Sequence, residues 1–185
     1  MISDTMKALN LTTIKKRVEA IPPGLKRFML RGTLLFIGWR LLYEFVLKPA
    51  GTPDNQLIEL VLWGTKALLS PFYSDLTSTG YNVFINNQLA ITIAKPCNGL
   101  ELMVMYVGFL ICLPSTLKRF VQFALIGILL TISLNMVRCA VLASMFYNHY
   151  ELADFMHHYL FKLAIYAVNF YLWILYSKKD GLHKA

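Results

Sequence analysis

The chain has 185 residues, of which 57 % are hydrophobic and only 15 % charged, against about 45–50 % and about 25 % in soluble domains. A soluble fold of this length cannot hide so much apolar surface, which excludes disorder, repeat arrays and an ordinary cytosolic domain and leaves several membrane spans of about 20 residues each. The net charge of +8 would suggest nucleic acid in a soluble domain; here the charges flank apolar runs, and no nucleic-acid partner is expected.

Residues 1–27 are polar and basic, with Lys15, Lys16, Arg17, Lys26 and Arg27. They read as a cytoplasmic N-terminal tail, either solvated or partly a surface helix ending at the Pro22-Pro23-Gly24 break. The first apolar run, about 28–47, lacks a small-x-small cleavage site and is expected to stay as an anchor. It carries Arg31, Arg40 and Glu44; Arg40 and Glu44 are spaced to share a helical face that should turn inward.

Residues 48–96 form an extracytoplasmic segment in this reading. Within it, 55–72 is apolar but interrupted by Glu59, Gly64 and Lys66, which predicts an interfacial or re-entrant helix. Residues 81–93 (YNVFINNQLAITI) are rich in β-branched and aromatic residues around Asn86-Asn87, which predicts a β-hairpin with a two-residue turn. A Lys95-Pro96-Cys97-Asn98-Gly99 turn then leads into a second span, about 97–113. The third and fourth spans are about 120–147 and 155–176, and 177–185 is a basic cytoplasmic tail. The predicted fold is therefore an all-α polytopic membrane protein. It has about four transmembrane helices, an extracytoplasmic interfacial helix and a short hairpin before Cys97, forming a single membrane domain over 28–176.

Charge supports this topology. Lys118-Arg119 and the lysines of the C-terminal tail fall on the same side as the basic N-terminus, whereas the opposite side holds only Lys48, Lys66 and Lys95, beside Asp54, Glu59, Asp75, Glu151 and Asp154. Lys and Arg mark the cytoplasmic side. Had 55–72 spanned the membrane, Lys118-Arg119 would fall outside.

Depth then brings three residues to one plane. Cys97 opens span two on the outer side. Arg138 lies about 18 residues into span three, about 27 Å along a core about 30 Å thick. His157 lies in the first turn of span four, also outside. A thiol, a guanidinium and an imidazole suffice for acyl transfer: the thiolate attacks a carbonyl, the imidazole moves the proton, and the guanidinium stabilises the oxyanion. Cys97 at a helix N-terminus is favoured as thiolate. Singly, each residue also suits a bland role: Arg138 snorkelling to headgroups, and His157 or His158 as an interfacial side chain. Cys112 and Cys139, inside apolar runs, read as packing residues, and the odd cysteine count without CxxC or CxxH spacing argues against disulfides and metal. No cofactor pattern is present.

Helix spacing adds supporting candidates. Asn135 is placed to orient the Arg138 guanidinium. Glu101 either pairs with Arg138 or sits exposed at headgroup level. Asp154 either holds the imidazole tautomer or caps the fourth span. His149 is a weaker candidate.

At these residues the sequence resembles the exosortase/archaeosortase family of membrane-embedded cysteine transpeptidases. The family pattern is a Cys-polar-Gly turn entering a helix, an Asn-x-x-Arg helix, and a His opening a later helix. Here these are Cys97-Asn98-Gly99, Asn135-Met136-Val137-Arg138, and His157. The resemblance covers about 55–176. It departs from the common pattern at Phe161, where most members carry Gly, and the His157-His158 doublet leaves two registers open, of which His157 fits better. The resemblance implies an enzyme of the bacterial inner membrane with an extracytoplasmic site. Its substrates would carry a C-terminal sorting signal: a short motif, a transmembrane helix and a basic cluster. The implied intermediate is a thioacyl-enzyme at Cys97, resolved by an unidentified acyl acceptor. The other classes the composition allows are a small transporter, with Arg40, Glu44 and Arg138 lining a pore, and a non-enzymatic envelope assembly protein. Membrane lipids are partners on any reading.

Overall fold

The computed structural model describes residues 22–179. Any surface helix before Pro22, and the last residues of the basic tail, lie outside the described residues. The first helix, α1 (Pro23–Leu42), continues through a π turn (Tyr43–Leu47) and a final turn (Lys48–Ala50). It starts ahead of the expected boundary at Phe28, because proline's fixed φ suits the first helical position. Pro22 and Pro23 thus stand at the start of a helix.

Next come α2 (Asp54–Leu69), strands β1 (Leu76–Thr79), β2 (Asn82–Ile85) and β3 (Gln88–Thr92), and a 3-10 turn (Lys95–Cys97). Helix α3 (Leu100–Cys112) and the long α4 (Leu117–Tyr147) follow. A short α5 (Ala153–Phe155), a second π turn (Met156–Leu160) and α6 (Phe161–Lys179) complete the chain.

Among the described residues, two helical stretches are long and apolar enough to cross a membrane: Leu117–Tyr147 and Ala153–Lys178. Helix α3 is apolar but shorter, about 20 Å at 1.5 Å per residue. Of the four expected spans, then, two meet the length test, one is short, and α1 carries its charges Arg31 and Arg40 within the helix. The expected second span also starts later, at Leu100, because Cys97 is held in the 3-10 turn and Gly99 takes the N-cap position.

The helices meet through small residues, as expected where lipid is as apolar as the side chains and close packing drives association. The Tyr106 ring of α3 covers Gly127 of α4, so closely that an added Cβ would lie 2.0 Å from it. The Tyr106 hydroxyl donates to the Phe123 carbonyl at 2.9 Å. Leu35 of α1 rests on Gly108 of α3 in the same way, and Phe28 sits between Phe109 and Trp173. Helix α1 buries no residue completely and exposes Leu30, Leu34, Phe36 and Ile37, a surface suited to lipid. At one end of the bundle, Arg119 of α4 donates to the carbonyls of Leu175 and Tyr176 at 3.0 and 2.7 Å. It thus ties the start of α4 to the backbone of α6.

The opposite end carries a second, separate core. The three strands form an antiparallel sheet in the order β1-β2-β3. The β2–β3 connection is the two-residue Asn86-Asn87 turn, both residues at positive φ (50° and 60°), as their tolerance of that region predicts. β1 is an addition to the expected hairpin. Alternation along β2 sends Val83 and Ile85 inward. With Ala90 and Ile93 they pack on Ile58, Val61, Leu62 and Leu69 of α2 and on Cys139, Ala140 and Ala143 of α4. Helix α2 therefore lies against α4 with one face buried, while Trp63, Leu68 and the following Phe72 stay exposed. Side-chain ties hold the sheet and α2 to the end of α4: Asn86 Nδ2 donates to the Tyr147 hydroxyl at 2.8 Å, and Tyr73 and Ser144 share a hydrogen bond of 2.8 Å.

Candidate active site

Strand β3 feeds the Cys97 turn directly, so the sheet fixes where that turn begins. Cys97 N donates to the Ala94 carbonyl at 2.8 Å, closing the 3-10 turn. Cys97 is half-buried and packs against the core cluster that includes Cys139 and Ala140. Asn98, 2 % exposed, makes an Asx-type bond in which its Oδ1 accepts from Leu100 N at 2.9 Å, satisfying one donor of the α3 N-terminus. Its Nδ2 donates to Asp54 Oδ1 at 2.6 Å. Gly99 has φ +83°, and an added Cβ would lie 2.4 Å from Asn135 Nδ2. Glycine is thus required twice, by the left-handed backbone and by the approach of α4.

Asn135 is buried and donates to the Thr131 carbonyl at 2.9 Å. Its carboxamide nitrogen backs the Gly99 turn. Arg138 is 6 % exposed, and its Nε has no hydrogen-bond partner. The guanidinium lies beside the Cys139 thiol, which also senses Cys97. It interacts electrostatically with His157 as well. Arg138 thus has the Cys139 thiol on one side, in the cluster against which Cys97 packs, and His157 within range of its charge.

The histidine doublet is divided by the second π turn. His157 is half-buried, with a buried Nδ1 that has no partner. His158 is exposed, and its Nδ1 lies 2.9 Å from the Asp154 carbonyl; the two rings meet edge-on at 4.9 Å. Asp154 is exposed and makes no side-chain cap; its charge still acts on His157. His149 sits at positive φ (55°) in the α4–α5 loop, exposed. Glu101 pairs with Arg40 at 3.8 Å instead of with Arg138, because the N-terminus of α3 comes up beside α1. Glu44 correspondingly pairs with Lys48. Among the described residues no group of three or more His, Cys, Asp or Glu is arranged to hold a metal ion.

Residues 23–175 match the family model described as transmembrane exosortase (Exosortase_EpsH). The chain belongs to the transmembrane exosortase family. No curated protein and no solved structure matches it. The match spans the helices and the sheet alike, so this exosortase carries its family's sequence pattern across both cores and is a membrane protein.

Several polar residues at the site end escaped sequence reasoning. Asp54 is 0 % exposed and accepts from both Asn98 and Tyr43; in the sequence it is one of several acids outside the spans. Thr131 and Asn169 are buried against each other, with Thr131 Oγ1 donating to Asn169 Oδ1 at 3.2 Å. The available signal was polar residues inside largely apolar helices, Thr131 a turn before Asn135 on α4 and Asn169 on α6, a pattern that marks interhelical bonds or function in membranes.

Proposed function

We propose that this exosortase is a membrane-embedded cysteine transpeptidase that cleaves C-terminal sorting signals of exported proteins through a thioacyl-enzyme. What supports this reading is the buried Arg138 in a chain of this family, beside the Cys139 thiol of the cluster on which Cys97 packs and with His157 within range of its charge. The Cys97 thiol gives its proton to His157 as its sulfur forms a bond to the scissile carbonyl carbon, and the C=O π electron pair moves onto oxygen. Arg138, buried with an unpaired Nε, is suited to receive that charge in a site poor in water. Collapse breaks the C–N bond, and His157 gives the leaving amine its proton. The thioester is then attacked by an acceptor amine, hydroxyl or water, which gives its proton to His157; the C–S bond breaks and the thiolate returns.

In this reading α1, α3, α4 and α6 cross the bacterial inner membrane, with the sheet and α2 on the extracytoplasmic side. The charge distribution supports it: Lys118, Arg119 and Lys178 lie at the end away from Cys97, the arrangement that the positive-inside rule assigns to the cytoplasm. The substrate's helix and basic cluster would enter alongside, leaving its motif at the level of Cys97.

The test is co-expression with an exported reporter carrying a C-terminal motif, helix and basic tail, followed by intact mass of the enzyme. A hydroxylamine-sensitive adduct on Cys97, absent in Cys97→Ala, is the expected result. Unchanged reporter processing by Cys97→Ala would remove the enzyme reading.

A further inference from the structure

We infer that Asp54 is the positioning residue for the Cys97 nucleophile, acting through Asn98. The inference rests on the proposed role of Cys97. Asp54 opens α2, and α2 is fixed against α4 by Ile58, Val61, Leu62 and Leu69. From that platform both carboxylate oxygens are engaged: Oδ2 accepts from the Tyr43 hydroxyl at 3.0 Å, and Oδ1 accepts from Asn98 Nδ2 at 2.6 Å. Asn98 passes the constraint to Leu100 N. The residue next to the nucleophile is thereby tied on one side to α2 and on the other to the start of α3.

The chemistry of this joint argues for orientation over adhesion. A fully buried carboxylate is costly to desolvate and gives little net stability over an apolar contact. What it supplies is a directed bond, and a charge-assisted one is both shorter and stronger than a neutral pair. Cys97 belongs to a single 3-10 turn whose own backbone bonds fix little. Without the Asp54–Asn98 bond the turn loses its side-chain tie to α2 and keeps its own backbone bonds, the packing of Cys97 on the core cluster and the contact of Gly99 with Asn135. Tyr43 comes from the π turn that ends α1, so α1, α2, the nucleophile turn and α3 meet at one carboxylate.

The test uses the full-length chain in native membranes and two readouts. The first is the rate of N-ethylmaleimide labelling at each cysteine, by peptide mass. The second is cleavage of the co-expressed reporter. Asp54→Ala and Asn98→Ala are each expected to free the turn, speeding Cys97 labelling about tenfold and slowing cleavage about tenfold. Cys112 and Cys139, both buried, should stay protected; labelling of all three would mean a general loss of fold and would overturn the inference. The exchange variant Asp54→Asn/Asn98→Asp restores a bond of reversed polarity, since the new amide can donate to the new carboxylate while its oxygen accepts from Tyr43. It should return both rates to within about threefold of the parent. Parent-like rates in Asp54→Ala, or an exchange variant no better than the single ones, would overturn the inference. Failure of the enzyme reading shows separately, as reporter cleavage that survives Cys97→Ala.

Discussion

Gly99 and Asn135 meet at a point where no methyl group fits: a Cβ on Gly99 would lie 2.4 Å from the Asn135 amide nitrogen, on a backbone already at φ +83°. Gly99→Ala therefore meets two penalties at once, strain in the left-handed region and a clash with a buried side chain that is itself bonded to Thr131. The expected cost is about 2 kcal/mol of stability, read as a lowered melting temperature in detergent. Reporter processing should fall by at least about tenfold, because the turn carrying Cys97 must shift. Asn135→Ala removes the clash, so Gly99→Ala/Asn135→Ala should recover part of the stability, and a double-mutant cycle measures how much.

The two histidines should separate cleanly. His157 lies within reach of Arg138's charge and keeps Nδ1 buried and unpartnered, whereas His158 is exposed with its Nδ1 against the Asp154 carbonyl. His157→Ala should lower reporter processing by about 10²–10⁴-fold, the range for loss of a general acid–base group. His158→Ala should change it by less than about threefold. The measurement is the initial rate of reporter cleavage at matched expression; a larger loss in His158→Ala would reverse the assignment.

Arg138→Lys is expected to fail as a substitute. The position is buried, and its surroundings include the Cys139 thiol and the His157 imidazole. Guanidinium presents several fixed donors, whereas an ammonium is a strongly hydrated point charge that a buried site desolvates at a cost. Reporter processing should fall about 10²–10³-fold in Arg138→Lys, close to Arg138→Ala, with protein abundance in the membrane unchanged.

How far these residues could be seen beforehand depended on period. The Asn86-Asn87 turn was legible because positive φ is a local property of asparagine, and both residues adopt it. Helices α4 and α6 were legible as long, largely apolar runs. The pairing of Glu101 with Arg40 and the contact of Asn135 with Gly99 were not, because i, i+3 and i+4 spacing describes one helix and these contacts join two segments. The π turns at Tyr43–Leu47 and Met156–Leu160 add a second obstacle. Each widens the helix locally and shifts which side chains face inward, so a 3.6-residue wheel drawn through His157 and His158 cannot say which one turns to Arg138. Asp54 was hidden for a third reason: its burial follows from α2 docking on α4, a tertiary event with no signature in the residues around it.

The Thr131–Asn169 contact offers a test of packing apart from catalysis. Thr131 Oγ1 donates to Asn169 Oδ1, and Asn169 Nδ2 returns to the Ile165 carbonyl one turn back on α6. Both side chains are buried, so removing one strands the other in an apolar interface. Asn169→Leu leaves the threonine hydroxyl without its acceptor across the interface and should cost about 1–2 kcal/mol. Thr131→Val leaves Asn169 its backbone bond and should cost less, about 0.6 kcal/mol, the average for interhelical bonds in membranes. The double variant Thr131→Val/Asn169→Leu replaces the pair by apolar groups and should be more stable than Asn169→Leu alone. Reversible unfolding in mixed micelles gives all three values, and Cys97 labelling should stay at the parent rate in Thr131→Val, because the Cys97 turn rests on Asn135 through the Thr131 carbonyl, which the substitution retains. A double variant less stable than both single ones would show that the bond fixes the α4–α6 register and does not merely satisfy two buried groups.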